Sequence, residues 1–156
     1  DTRVHQKDVI YIQNGTDFEN MKPGTPIARI RTENNTSFIL NIKVSQSNEL
    51  DCLEHETEIL NLEEGQGILK LLGFYEAIRV EKKRTIGKFK GCTICIDEVR
   101  GLGEFLEIEK LFESHNINVE QEKENMRSIL KNFGLENIEE THMGYDSLLF
   151  KMNKAG

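Results

Sequence analysis

Charged side chains recur on every second position in several stretches of this chain, a spacing typical of chemistry on one face of a β-sheet. Residues i and i+2 of a strand point to the same side, so Arg29 and Arg31 would present two guanidinium groups together, and Glu107 and Glu109 two carboxylates. The basic candidates are Arg29, Arg31, Lys43, Lys82 and Arg84, and the acidic candidates are Glu54, Glu56, Asp97, Glu107 and Glu109. Such a surface suits an anion that carries a bound divalent metal ion, such as a triphosphate with magnesium.

Each set has a chemical reason to take that ligand. Guanidinium groups offer a planar fork of donors that fits phosphate oxygens. Asp97, with Glu107 and Glu109, would supply the hard oxygen ligands that Mg²⁺ or Mn²⁺ prefers. Alternating charged and apolar residues ordinarily mark a solvated sheet face. The number of pairs, and the ability of a curled sheet to aim opposite strands at one volume, favour a binding site here.

Composition excludes several classes of protein. The chain has 156 residues and a net charge of -7, which disfavours general nucleic-acid binding, since such proteins carry a basic surface. No apolar run approaches the roughly 18 residues of a membrane span. Three cysteines, an odd number, indicate a reducing compartment rather than a disulfide framework. We therefore expect a cytoplasmic protein with neither a nucleic-acid nor a membrane partner.

The order of predicted elements is rich in strands over the first two thirds and helical at the end. This pattern predicts one α+β domain over residues 1–156, dominated by antiparallel strands. A tight turn is expected near Gly87, and helices are expected to begin at the capping residues Asn61 and Asn118. The predicted strands cover residues 9–12, 27–32, 38–44, 53–59, 75–86, 90–99 and 104–110.

Six motifs, in order and spread over nearly the whole chain, resemble those of one family. They are H-Q-K-D-V-I-Y at 5–11, A-R-I-R at 28–31, L-N-I-K at 40–43, V-E-K-K-R at 80–84, I-D-E-V-R-G-L-G-E-F-L-E-I-E at 96–109 and G-Y-D-S-L-L at 144–149. The likeness is to the CYTH superfamily, the triphosphate tunnel enzymes that include class IV adenylyl cyclases and thiamine triphosphatases. The 96–109 motif is the most specific of the six.

The resemblance implies an eight-stranded antiparallel β-barrel that encloses a tunnel and carries flanking helices. It implies that the five basic candidates bind the triphosphate and that two of them, Lys82 and Arg84, are catalytic. It also implies that Asp97, Glu107 and Glu109, and more loosely Glu54 and Glu56, hold Mg²⁺ or Mn²⁺. We expect Arg29 and Arg31 to be replaceable by alanine with weaker binding and little loss of fold.

Two departures from the family pattern bear on activity. The E-x-E-x-K strand that precedes the D-x-Y motif in the family is absent from this sequence, so we expect the first barrel strand to be missing. Cys52 stands where the family often has arginine, which puts one phosphate contact in doubt. An open barrel would expose two sheet edges, and exposed edges invite pairing, so a homodimer is one expectation.

The resemblance leaves three functions open. The first is a class IV adenylyl cyclase-like enzyme that converts ATP to cyclic AMP and pyrophosphate. The second is a phosphohydrolase acting on inorganic, thiamine or nucleoside triphosphate. The third is a module that holds a polyphosphate or nucleotide without turning it over.

Overall fold

The computed structural model describes residues 2–47, 51–112 and 117–155 of the chain. These residues form one antiparallel sheet with the strand order β4-β3-β2-β1-β5-β6-β7. Its strands are β1 (Thr2–Gln13), β2 (Pro26–Glu33), β3 (Ser37–Ser45), β4 (Cys52–Ile59), β5 (Phe74–Phe89), β6 (Cys92–Val99) and β7 (Gly103–Glu109). The predicted antiparallel α+β fold is confirmed. In the described part of the chain the sheet has seven strands rather than eight, and β4 and β7 form its two edges.

Three α-helices and a short 3₁₀ helix, Phe18–Asn20, accompany the sheet. The α-helices are α1 (Leu62–Leu71), α2 (Val119–Asn132) and α3 (Tyr145–Ala155). Both predicted caps are confirmed, since the side-chain oxygens of Asn61 and Asn118 each accept a backbone N–H three residues on, at 3.1 Å. Within the described ranges, none of these helices combines the length and apolarity that crossing a membrane requires.

The predicted turn near Gly87 is wrong. β5 continues through Gly87, which pairs with Ile94 of β6, and the chain turns at Lys90 and Gly91, whose φ angles are 49° and 76°. A glycine inside a strand is tolerated although it contributes no side-chain packing. The turn that closes the hairpin requires residues in the left-handed conformation, and Gly91 adopts that conformation without strain. The position of the turn is therefore set by Gly91 rather than by Gly87.

The sheet packs an apolar cluster on one face and presents most of the candidate site residues on the other. On the outer face, Tyr11, Ala28 and Ile30 pack against Leu69 of α1 and Phe74. We call the opposite side the inner face. Strand alternation and register place on it the side chains of Asp8, Arg29, Arg31, Asn41, Lys43, Glu54, Lys82, Arg84, Asp97, Glu107 and Glu109.

Helix α3 covers part of the inner face. Leu149 packs with Val80 and Val99, and the ring of Phe150 lies 4.8 Å from that of Phe18. These contacts fill one part of the inner face with apolar side chains. The charged residues occupy the remainder, where β1, β2, β5 and β6 run side by side.

Candidate functional site

All five predicted phosphate-binding side chains belong to the inner face. Two come from β2 and two from β5, on either side of the central strand β1, and the fifth comes from β3. Alternation along each strand is the local reason, because the intervening Ile30, Ile42 and Lys83 point the other way. The cationic groups thus reach one surface from three strands, as the spacing predicts.

Asp8 holds Arg31 from the neighbouring strand. The two residues are paired in register, and Nε and Nη2 of Arg31 donate to the two carboxylate oxygens of Asp8, each at 2.7 Å. Burial alone would raise the pKa of Asp8, but the hydrogen bond and charge of Arg31, with the charge of Arg29, lower it overall. This contact bears on our expectation that Arg31 is replaceable with little loss of fold, because its removal would leave Asp8 buried without its bidentate partner; we now predict a loss of stability instead.

Arg29 is held less tightly. Its Nη1 lies 3.9 Å from Asp8 Oδ2, and its buried Nε has no hydrogen-bond partner among the described residues. The buried oxygens Gln6 Oε1 and Asn41 Oδ1 are also without partners there. Gln6, Arg29 and Asn41 belong to the neighbouring strands β1, β2 and β3. Buried polar atoms normally have partners, so this part of the inner face has hydrogen-bonding capacity left for a ligand.

Lys82 lies at the centre of the basic cluster. It is 5% exposed, its Nζ is 3.6 Å from Asp97 Oδ2, and it sits 5.0 Å from the centre of the Tyr145 ring. Burial lowers the pKa of Lys82, and the charges of Arg84 and Arg31 lower it further, to about 8. The lowered pKa of Lys82 therefore reflects first its burial and then its two cationic neighbours.

Arg84 binds two acidic side chains at once. Its Nε and Nη2 donate to the two oxygens of Asp97 at 2.7 and 2.6 Å, and Nη2 also donates to Glu107 Oε2 at 2.8 Å. Burial opposes the charge of Arg84, but the hydrogen bond to Asp97 and the charge of Glu107 raise its pKa overall. Arg84 therefore stays cationic at any physiological pH.

Asp97 is fully engaged by protein groups. It is 0% exposed, and it accepts a further hydrogen bond at 3.0 Å from the hydroxyl of Tyr145 on α3. Burial raises the pKa of Asp97, but the hydrogen bond from Arg84 and the charge of Lys82 lower it overall. We predicted that Asp97 is a metal ligand. To bind a metal ion, Asp97 would have to give up hydrogen bonds that its two carboxylate oxygens already accept.

The remaining predicted metal ligands lie toward the two edge strands. Glu54 on β4 accepts from Lys43 at 2.7 Å and from Asn41 at 3.0 Å. On β7, burial raises the pKa of Glu109, and the negative charges of Glu107 and Glu54 raise it further. The sheet is thus curled enough for β4 and β7 to affect each other electrostatically. Glu56 is paired in register with Asn41 and is exposed.

These acids fit a divalent cation by chemistry and only partly by arrangement. Crowded carboxylates are hard oxygen donors, and burial together with the negative charges of Glu107 and Glu54 raises the pKa of Glu109. Across residues 2–47, 51–112 and 117–155, however, no three acidic, histidine or cysteine side chains are grouped closely enough to hold a metal ion. Glu54, Glu107 and Glu109 are therefore the candidates for part of a metal site.

Several residues of the site were missed from the sequence. Asp8 had a signal, since it is the acid of the D-x-Y motif and lies opposite Arg31 on an adjacent strand. Tyr145 had a weaker one, because it lies in the G-Y-D-S-L-L motif, but its contact with Asp97 spans 48 positions in sequence. Asn41 occupies a strand position that alternation places on the same face as the charged residues. Because its side chain is uncharged, it was not predicted to belong to the site.

Comparison with known proteins places the chain in a family. Residues 1–145 match the model of the CYTH domain. A Methanocaldococcus jannaschii protein named "Putative adenylate cyclase" is 34% identical over 142 residues, covering 85% of this chain and 75% of that protein. A solved Pyrococcus horikoshii protein superposes with a TM-score of 0.79 at 29% identity, covering 96% of this chain and 85% of that one.

A more distant structure supports the fold alone. It is a Vibrio parahaemolyticus protein described as a "putative adenylate cyclase", and it superposes with a TM-score of 0.77 at 17% identity. The superposition covers 94% of this chain and 80% of that one. The architecture therefore persists where little sequence identity remains.

Proposed function

Since this chain belongs to the CYTH domain family, we propose that it is a metal-dependent enzyme acting on the triphosphate group of a nucleotide or a related phosphoanhydride. The favoured reaction is that of a class IV adenylyl cyclase, which converts ATP to cyclic AMP and pyrophosphate. Support for this choice comes from the archaeal relative, whose name is that of an adenylate cyclase. The inner face supplies independent reasons.

The observation that carries the proposal is the state of Lys82. This lysine is buried, Asp97 at 3.6 Å is already bound on both oxygens by Arg84, and the pKa of the lysine is lowered to about 8. Two more cations, Arg29 and Arg31, lie on the strand beyond β1. A polyanion bound at this position would place negative charge beside Lys82, Arg29 and Arg31, and charge-assisted hydrogen bonds to phosphate are among the strong ones.

The acidic side chains near the edges would hold the metal. Glu54, Glu107 and Glu109 are the residues we assign to it, with Glu56 as an exposed neighbour on β4. When bound, Mg²⁺ or Mn²⁺ would neutralise phosphate oxygens and orient the triphosphate. Asp97 we assign instead to positioning Arg84 and Lys82 from beneath.

The chain's own residues then account for the reaction. Arg29, Arg31 and Lys43 bind and orient the phosphate chain, so that the nucleophile and the leaving group lie in line. In the cyclase reaction the ribose 3′-hydroxyl attacks the α-phosphorus and gives its proton to water, while the bond from the α-phosphorus to the bridging oxygen of the β-phosphate breaks and pyrophosphate leaves. Lys82 and Arg84 would stabilise the negative charge that develops on the departing oxygens, and preorganised cations of this kind need no rearrangement during the reaction.

A phosphohydrolase would use the same cations with water as the nucleophile. We keep it as the alternative because Lys82, Arg84 and Arg31 would bind phosphate oxygens equally well whether or not a base or a sugar is attached. A binding module without turnover is the third reading, and it agrees with the absence of a complete metal cluster among the described residues.

A product assay separates these functions. The protein is incubated with ATP, inorganic triphosphate or thiamine triphosphate, each with Mg²⁺ and with Mn²⁺, and the products are resolved by chromatography. Cyclic AMP with pyrophosphate supports the cyclase, and orthophosphate supports the hydrolase. Tight binding without product supports the module, while no binding of any triphosphate contradicts the proposal as a whole.

Matched variants tie any activity to the inner face. Lys82→Met removes the central cation, and Lys83→Met removes its exposed neighbour on the same strand, whose side chain is 73% exposed. We expect the first change to abolish or strongly reduce product formation and the second to leave it unchanged. Equal activity in the two variants would remove Lys82 from the site.

A further inference from the structure

Asn41 and Arg29 face each other across β2 and β3 with hydrogen-bonding atoms left over. They are register partners, and both point to the inner face. Asn41 is 0% exposed, yet its Oδ1 has no hydrogen-bond partner among the described residues, and neither has Nε of Arg29. Opposed side chains on adjacent antiparallel strands are separated by about 5 Å between their Cβ atoms, so one bound group can reach both.

The orientation of the Asn41 amide follows from its other contact. Its Nδ2 donates to Glu54 Oε2 at 3.0 Å, and an ionised carboxylate can only accept. The pKa of Glu54 supports the ionised form: burial would raise it, but the charge and hydrogen bond of Lys43 lower it overall. The NH₂ group of Asn41 therefore faces Glu54, which leaves the carbonyl oxygen as the free acceptor.

A phosphate oxygen without a proton cannot satisfy this pair. It would accept from Arg29 Nε, but it has nothing to donate to Asn41 Oδ1. A hydroxyl satisfies both atoms at once, because its oxygen accepts from Nε while its O–H donates to Oδ1.

Building on the proposed function, we propose that Asn41 and Arg29 form a hydroxyl-binding subsite beside the phosphate-binding cations. Asn41 is then a specificity-determining residue, favouring ligands that present an O–H next to an anionic group. Two groups on a triphosphate have this chemistry: a ribose hydroxyl of a nucleotide, and a protonated oxygen of a phosphoryl group.

The test uses two isosteric variants that differ in the acceptor. Asn41→Thr keeps an oxygen at this position, whereas Asn41→Val has the same shape without one, and both β-branched residues suit a strand. Affinities for ATP, 2′-deoxy-ATP, 3′-deoxy-ATP and inorganic triphosphate are measured by calorimetry with Ca²⁺, on protein whose thermal unfolding shows an intact fold. Loss of a buried hydrogen bond predicts about tenfold weaker binding to the valine variant.

The pattern across ligands identifies the hydroxyl. If it belongs to ribose, wild type binds one of the deoxynucleotides about tenfold more weakly than ATP, and Asn41→Val removes that difference without affecting inorganic triphosphate. If it belongs to a phosphoryl group, Asn41→Val weakens all four ligands alike. In either case Asn41→Thr stays closer to wild type.

Other results overturn the subsite. If Asn41→Val binds all four ligands as wild type does, Oδ1 is satisfied by a buried water alone. If the threonine and valine variants lose the same affinity for every ligand, the contact with Glu54 is what matters. In both cases the proposed function survives, because wild type still binds triphosphate. If wild type binds none of the four, the subsite and the proposed function both fail.

Discussion

Arg84 donates to both carboxylate oxygens of Asp97, at 2.7 and 2.6 Å, and Tyr145 donates to one of the same oxygens at 3.0 Å. These three groups come from β5, β6 and α3, so the contact joins the sheet to the helix that covers it. An acid of the most family-specific motif is thereby held as a counter-ion within the protein. Its position beneath Lys82 and Arg84 fixes two cations that the proposed reaction uses.

The first prediction concerns the stability that this contact provides. Asp97→Asn removes one of the two acidic charges that compensate buried Arg84, and breaking a buried ion pair on one side costs about 3–5 kcal/mol. We expect the free energy of unfolding in urea to fall by that amount. Glu98→Gln is the control, since it alters an exposed acid 3.7 Å from Lys83, and such surface pairs contribute about 1 kcal/mol at most. Equal stability of the two variants would contradict the structural role of Asp97.

The second prediction separates the two arginines of β2. Arg29→Met should weaken triphosphate binding by about 1.5–3 kcal/mol, the range for a hydrogen bond to a charged group, with a modest loss of stability. Arg31→Met leaves Asp8 buried without its bidentate partner and should lower the free energy of unfolding by about 3–5 kcal/mol. Calorimetry and urea denaturation of both variants measure the difference. Similar losses of stability in both would show that the Asp8–Arg31 contact is not special.

The sequence predicts well which charged residues share the inner face. It predicts poorly which acid pairs with which base on that face. Alternation alone places Arg29 with Arg31 and Glu107 with Glu109, because the period of a strand is fixed. Which acid neutralises which base depends on register, and the paired positions of Asp8 and Arg31 lie 23 residues apart in sequence. The reach of Tyr145 to Asp97 depends on how α3 docks, which no local pattern specifies. Asn41 illustrates a further limit, since an uncharged residue becomes informative only when its burial and free acceptor are known.

The third prediction concerns the acids of β7. Burial raises the pKa of Glu109, and the negative charges of Glu107 and Glu54 raise it further, so a divalent cation bound beside it should stabilise the folded protein by mass action. We expect Mg²⁺ or Mn²⁺ to raise the melting temperature of wild type and to have a smaller effect on Glu109→Gln. Glu104→Gln, on the same strand but the opposite face, serves as the control. An unchanged metal response in Glu109→Gln would exclude this residue from the metal site.

The fourth prediction is the acid sensitivity that Asp8 confers. Its pKa is lowered in the folded protein, so the stability that it contributes is present above the unfolded-state value of about 3.9 and is lost as pH falls through the folded value. Asp8→Asn should therefore be less stable than wild type at neutral pH, and the gap should narrow below pH 4. Urea denaturation at pH 7, 5, 4 and 3 tests this. A gap that is constant or widens toward low pH would show that Asp8 is not stabilised as an anion.

The last prediction uses the lowered pKa of Lys82, about 8. A bound triphosphate places negative charge beside the ammonium and favours its protonated form, so the pKa should rise on binding. At pH 8, where free Lys82 is partly neutral, binding must then take up protons from the buffer. Calorimetry in buffers of different ionisation enthalpy measures that uptake. At pH 6 Lys82 is already protonated in the free protein, so its contribution to the uptake should disappear.

Two variants identify the source of those protons. Lys82→Met should eliminate the part of the uptake at pH 8 that belongs to the lysine, and Lys83→Met should keep it, because Lys83 is exposed on the other face. The phosphate groups of the ligand titrate at about pH 6 and are almost fully ionised at pH 8, so the difference between the variants at that pH isolates Lys82. If the two variants take up the same number of protons, Lys82 does not meet the ligand, and the cations around Lys82 are not what binds it.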